Sequence, residues 1–193
     1  MEDFYTIQGE GFNSGKAAYF LRLAGCDVGC VWCDVKDSWS VENHPMVEIV
    51  EMIKRIKESS ADKVVVTGGE PAMYDLKPLT DALKKNNLLC YIETSGAYPL
   101  TGNWDWICVS PKKFKAPLPD LLKKANELKV IVYNKSDFNW GEKNAQLVNE
   151  NCLLYLQPEF SVLDEILPKI IEYVKTNTKW RISLQTHKVM GVR

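Results

Sequence analysis

Residues 62–71 read DKVVVTGGEP. Three consecutive valines follow a charged pair, and the run stops at two glycines and a proline. Branched apolar residues without alternation mark a strand covered on both faces, as strands of a parallel sheet are. LKVIVY at 128–133 is a second run of this kind. Further strands are expected in AAYFLRLAG (17–25), LLCYIETSG (88–96), WDWICVSPK (104–112), CLLYLQPE (152–159) and WRISLQTHK (180–188). Helical patterns lie between them. Met46, Ile49, Val50, Ile53 and Ile56 form a stripe in MVEIVEMIKRIKES. LKPLTDALKKNN (76–87) and the short LPDLLKKANE (118–127) are helical, and SDFNWGEKNAQLVNE (136–150) is partly so, with Ser136 or Asp137 as N-cap. VLDEILPKIIEYVKT (162–176) predicts a long helix, kinked or split near Pro168. Strands alternating with helices argue a parallel α/β sheet, because parallel neighbours need a crossover. No linker or repeat interrupts the pattern, and 193 residues suit one domain, 1–193.

Five of these strands run straight into a polar or glycine-containing motif: TGGEP, ETSG, SPK, LQPE and LQTHK. Ligands bind at the carboxyl ends of strands in parallel sheets and barrels, so one site spread along that edge is expected. The formal net charge of −1 excludes a chain built as a whole to sit on nucleic acid or anionic membrane. No apolar run is long enough to span a bilayer, and MEDFYTIQGEGF lacks a signal peptide's basic start and apolar core, so a cytoplasmic location is expected.

Cytosolic thiols stay reduced, which makes clustered cysteines metal-binding or catalytic. Cys26, Cys30 and Cys33 fall within eight residues, whereas Cys90, Cys108 and Cys152 each sit in an apolar stretch and read as core. Three thiols admit several readings. Zinc would need a fourth ligand, and His44 is eleven residues on. A disulfide would leave one thiol over. A [4Fe–4S] cluster held by three thiolates keeps one iron open, and an open position distinguishes a reactive metal site from a structural one.

The C-x3-C-x2-C loop after a strand, followed by TGGEP at the end of a later strand, resembles the radical S-adenosylmethionine (SAM) superfamily. The resemblance implies a [4Fe–4S] cluster on Cys26, Cys30 and Cys33 in a loop at 25–39. It also implies that SAM is chelated at the open iron and cleaved to a radical that abstracts hydrogen. FYTIQGEG (4–11), GCDVGCVWCD (25–34), ETSG, SPK, LQP and QTHKVMGVR (185–193) are similar, in order and nearly end to end, to the 7-carboxy-7-deazaguanine synthase family of 7-deazapurine and queuosine biosynthesis. This implies an incomplete TIM-like barrel: a mostly parallel sheet of about six strands with reduced helices. The implied reaction converts 6-carboxy-5,6,7,8-tetrahydropterin to 7-carboxy-7-deazaguanine. Hydrogen is abstracted at C6, the ring contracts and ammonia leaves. A homodimer, a flavodoxin-type reductant and a magnesium ion are implied as well.

Carried over by position, Gly68, Gly69, Glu70, Ser95, Ser110, Lys112 and Gln157 are expected at SAM, the glycines allowing close backbone approach and Glu70 accepting from the ammonium. Lys113 and Lys115 read as a solvated basic loop. Substrate contacts are expected from Ile7, Gln8, Gly9, Glu10, Thr67, Glu93, His187 and the terminal carboxylate of Arg193. Arg22 lies in an otherwise apolar strand, where a charge must be paired or face a cavity, and its fork suits the substrate carboxylate. One position departs from the family. The threonine that commonly follows Cys-Asp and ligates magnesium is Val35 here, which offers no oxygen to a hard cation. Either Asp34 or a shifted Ser38 supplies a ligand, or substrate and water hold the ion, or this protein depends less on magnesium. Two rival readings differ in class: another radical SAM enzyme such as a glycyl-radical activase, and a non-enzymatic zinc or iron–sulfur module.

Overall fold

The computed structural model describes residues 1–42 and 44–193. Eight strands form one sheet in chain order: β1 (Glu2–Ile7), β2 (Ala17–Leu23), β3 (Lys63–Gly68), β4 (Leu89–Thr94), β5 (Trp106–Val109), β6 (Glu127–Val132), β7 (Leu153–Pro158) and β8 (Trp180–Ile182). β1 pairs antiparallel with β2, and every other neighbouring pair is parallel. The helices are α1 (Ile49–Lys57), α2 (Lys77–Lys85), α3 (Pro119–Leu122), α4 (Ser136–Ala145), α5 (Leu163–Thr176) and α6 (Thr186–Met190). β4 and β5 are joined without a helix, and α3 is a single turn. The mostly parallel α/β sheet is as expected; it has eight strands, one more than the seven patterns in the sequence and two more than the resemblance implies.

The difference lies at the edges. β1 occupies EDFYTI, where the sequence pattern assigned no strand, because β2 offers it an antiparallel partner and Phe4 stacks on Phe20 with centroids 5.5 Å apart. The last strand is three residues long, and THKVM after it is helical. α5 passes through Pro168 unsplit, since Ile166 and Ile170 anchor it in the core on both sides of the lost hydrogen bond. α4 is capped by neither expected residue. Asn134 Oδ1 accepts from Ser136 N at 2.9 Å, and Asp137 instead folds back to accept from Tyr133 N and Asn134 N.

The valine run shows how the two faces are used. Val64 and Val66 join the large core with Ile56, Leu79, Leu83, Leu122, Ile166 and Ile170 from the helices. Val65 points the other way, onto Ala18, Phe20, Phe4 and Tyr91. Helices therefore cover one face only, contrary to the reading of a two-sided cover. The other face is covered by the sheet's own curl. Flat strands spaced about 4.8 Å would put β1 and β8 about 34 Å apart. Instead Thr186 N, just past β8, donates to Gly9 O, just past β1, at 2.9 Å, and the Thr6 hydroxyl donates to Arg193 O at 3.2 Å. β1 and β8 do not pair, so the curled sheet stays open. Cys90 and Cys152 are buried in the helix-side core as expected; Cys108 is buried on the inner face beside charged groups, and burial pushes its thiol well up.

Candidate active site

The carboxyl ends of the strands surround a cavity of ≈ 290 Å3, and it is bordered by every residue expected at the cluster, SAM or substrate, and by Asp34, but not by His44 or Ser38. Its first wall is the junction of β2 and β3. Gly69 N donates to Leu23 O at 2.9 Å and Glu70 N to Gly25 O at 2.8 Å, which ties the TGGEP turn to the base of the cysteine loop. The glycines serve this packing. Gly68 has φ +127°, and a Cβ on Gly69 would stand 2.2 Å from Gly25 O. Thr67 sits at the end of β3 beside them.

Glu70 is buried, 1% exposed. Its Oε1 accepts from Ala72 N at 3.0 Å and from the Thr94 hydroxyl; its Oε2 accepts from Ser95 N at 2.8 Å and from the Ser95 hydroxyl. A carboxylate offers about four acceptor positions, and all four are taken. Glu70 thus clamps the ends of β3 and β4 together, and it is not the free acceptor the sequence reading expected. Ser95 is the other half of that clamp.

The loop at 25–39 returns on itself through Gly25 N to Ser38 O and Cys26 N to Trp39 O, at 2.7 and 3.2 Å. Cys26, Cys30 and Cys33 all border the cavity. Burial pushes Cys26 up and carries Cys30 to about 11, with Lys112 pulling Cys30 the other way. Lys112 Nζ donates to Ser110 Oγ at 2.5 Å and lies 5.4 Å from the Trp32 ring of the same loop. Lys113 and Lys115 are not free in solvent as expected: Lys113 pairs with Asp137, and Lys115 with Asp27 at 2.8 Å. Lys115 and the Tyr98 hydroxyl both donate to Asp27, fastening the cysteine loop to two neighbouring loops.

The donor set fits an iron–sulfur cluster. Three soft thiols share one cavity, and the remaining cysteines lie elsewhere in the core. The zinc alternative does not assemble. His44 Nε2 engages Asp37 O at 2.9 Å, and among the described residues no three His, Cys, Asp or Glu side chains stand close enough to hold a single ion. Magnesium fits poorly. Asp34 is exposed and faces Lys188 Nζ at 3.5 Å, and the buried Ser38 hydroxyl donates to Val35 O at 2.6 Å. That leaves one carboxylate where a hard cation wants several oxygens.

The opposite wall is polar. Arg22 and Glu2 face each other across the β1–β2 register, with Nε 3.0 Å from Oε1. The Arg22 Nε–H nevertheless has no hydrogen-bond partner, because the contact is off line. Arg193 approaches Glu2 at 3.5 Å, and both guanidiniums flank the Phe4 ring, 5.8 Å away for Arg22 and 5.5 Å for Arg193. Ile7, the last residue of β1, leads into Gln8, Gly9 and Glu10. Gly9 abuts His187, whose Nδ1 would be 2.2 Å from a Cβ there. Gln8 Nε2 donates to Glu93 Oε1 at 2.7 Å, and Glu10 Oε1 accepts from Gln185 Nε2 at 2.9 Å. The Gln157 carbonyl oxygen accepts from Ser183 Oγ at 2.6 Å. Between Glu10 and Glu93 stands Lys129, donating to both. Burial acts to raise Glu10, but Lys129 overrides it and holds Glu10 at about 2. Burial likewise raises Glu127 below them.

Lys129, Gln185, Glu2 and Lys188 escaped the sequence reading. Lys129 carried the signal that singled out Arg22, a charge inside an apolar strand; the others sit in polar stretches that offer none.

A cysteine-bearing loop above the strand ends of an open, mostly parallel sheet defines the class of protein. The sequence pattern of the radical SAM superfamily matches residues 21–134. At the level of whole chains the likeness is closer. The chain is 54% identical to 7-carboxy-7-deazaguanine synthase of Flavobacterium psychrophilum, spanning 100% of this chain and 91% of that one. Identity to the enzyme of that name from Synechocystis is 46%, over 100% and 92%, and to that of Escherichia coli 37%, over 99% and 97%. The crystal structure of QueE from Escherichia coli superposes with a TM-score of 0.82 at 35% identity, covering 95% of this chain and 91% of that one. The chain belongs to the 7-carboxy-7-deazaguanine synthase family. A glycyl-radical activase is not favoured by these matches.

Proposed function

We propose that this chain converts 6-carboxy-5,6,7,8-tetrahydropterin to 7-carboxy-7-deazaguanine, with loss of ammonia. The observation that carries the reading is the one cavity in which three thiols meet Arg22, Gln8, Glu10, Glu93 and His187. Cys26, Cys30 and Cys33 would hold the cluster, and Gly68, Gly69, Ser95, Ser110, Lys112 and Gln157 would contact SAM. When bound, a [4Fe–4S] cluster and SAM supply the electron and the hydrogen-abstracting group. The chain's own residues bind and orient. Arg22 borders the cavity and its guanidinium fork pairs with the substrate carboxylate, a charge-assisted pairing that fixes one end of the molecule. Glu10 and Glu93 accept from the N–H groups of the pterin edge, with Gln8 holding Glu93 in place. Thr67, Ile7 and Gly9 close the walls around it, and His187 and Arg193 border the same cavity. Val28, Trp32 and Phe160 give the cavity its apolar lining. Asp34 is not assigned a magnesium ion, and no step here depends on one. A single domain, a homodimer, a flavodoxin-type reductant and a cytoplasmic setting complete the proposal; among the described residues no helix is long and apolar enough to cross a membrane.

The test is anaerobic. The reconstituted protein is given dithionite, SAM and 6-carboxytetrahydropterin, and the product is read by mass spectrometry. 7-Carboxy-7-deazaguanine is expected, and lost in Cys33→Ala. 5′-Deoxyadenosine without that product would overturn the substrate assignment.

A further inference from the structure

Lys129 is 3% exposed, sits on β6 facing the cavity, and has one ammonium shared by two carboxylates. Its Nζ donates to Glu10 Oε2 and, at 3.2 Å, to Glu93 Oε2. Gln8 closes the ring: its Nε2 binds Glu93 Oε1 and its Oε1 accepts from Glu10 N at 3.2 Å. Glu127 on the same strand, Cys108 on β5 and Lys112 beyond it act on the same space. Burial alone would push Lys129 down; Glu10 and Glu93 instead push it well up.

Two carboxylates this close repel, and without a cation between them one holds its proton to higher pH. A protonated carboxyl presents a donor where an N–H edge needs an acceptor. Packing alone does not explain the triplet, since an apolar side chain of similar volume commonly replaces a buried ion set without loss of stability. We propose that Lys129 is a positioning residue, which holds Glu10 and Glu93 ionised and aimed so that the pair reads the N–H edge of the pterin. The inference rests on the reaction proposed above.

The experiment compares Lys129→Met and Lys129→Arg in the reconstituted holoenzyme. It follows glutamate carboxyls by 13C NMR and kcat/KM against pH. In Lys129→Met a cavity carboxyl should titrate about one pH unit or more above its native value. The acid limb of kcat/KM should rise with it, and KM for the pterin should increase about tenfold, with native iron content. Lys129→Arg, which keeps the charge, should restore the native titration and part of the KM. Should Lys129→Met fail to fold, Lys129→Gln, which keeps a hydrogen-bond donor without the charge, should give the same displaced acid limb and raised KM. Native titration with native KM overturns the proposal. So does loss of the cluster with unmoved carboxyl titrations, the mark of a purely structural lysine. Failure of the native enzyme to turn over the pterin would overturn the reaction instead, while the titration still decides whether Lys129 keeps the pair ionised.

Discussion

Glu70→Gln tests whether that side chain is a clamp or a ligand contact. The native carboxylate accepts four protein hydrogen bonds, two from backbone N–H groups of Ala72 and Ser95 and two from the hydroxyls of Thr94 and Ser95. Glutamine keeps one accepting oxygen and puts an NH2 donor where the other stood. One backbone N–H, at a site 1% exposed, then faces a donor and loses its partner, while the hydroxyl beside it can turn. A bond to a charged acceptor contributes about 1.5–3 kcal/mol, and an orphaned buried donor costs about 1–3 kcal/mol. The two sum to about 2.5–6 kcal/mol, and because the remaining oxygen still accepts and the hydroxyl can turn, the loss falls near the lower end, about 3 kcal/mol. A chain of this size loses about 2–4 °C of Tm per kcal/mol, so thermal unfolding followed by circular dichroism should fall by about 6–12 °C. SAM affinity should drop only as far as the loosened β3–β4 junction lets it. A Tm within about 2 °C of native together with a tenfold loss of SAM affinity would refute the clamp and return Glu70 to the ligand.

Arg22→Lys removes the fork and should raise KM for the substrate about tenfold or more, and Glu2→Gln, which frees Arg22 from its carboxylate, should lower KM by a few-fold at most; steady-state kinetics with unchanged KM in both would sink the assignment. Gly69→Ala drives a Cβ into Gly25 O, backbone against backbone, and should halve or abolish the iron bound per chain, read by metal analysis. Chelation of divalent cations should change turnover by less than about twofold, because Asp34 faces Lys188 and Val35 has no oxygen; strong dependence on added magnesium would contradict this. Glu10 binds its proton less readily folded than unfolded, so its contribution is present above its ordinary value of 4.5 and is lost as pH falls toward about 2. Urea unfolding between pH 5 and pH 3 should show that slope, and Glu10→Gln should flatten it.

Much of the site was legible because its chemistry is local in the chain. The spacing of Cys26, Cys30 and Cys33, and the TGGEP turn at the end of an apolar run, identify both a cluster loop and the strand edge that carries it. Arg22 was legible for a different reason: a charge in an apolar strand has to be answered somewhere. The same logic held for Lys129 in ELKVIV, where it went unused.

The order of strands and helices, the common edge of the ligand motifs and the thiol loop follow from patterns a few residues long, since periodicity and glycine geometry act over that range. What only the tertiary structure decided involves partners far apart in the chain. Glu70 is turned into a clamp by Thr94 and Ser95, 24 and 25 residues on. β1 exists because β2 pairs with it, and helices suffice on one face because the curl of the sheet brings Thr186 to Gly9, 177 residues earlier. The ionisation of Glu10 depends on a lysine 119 residues away. Charges, caps and edges take their meaning from neighbours in space, and those neighbours are set by how the sheet curls.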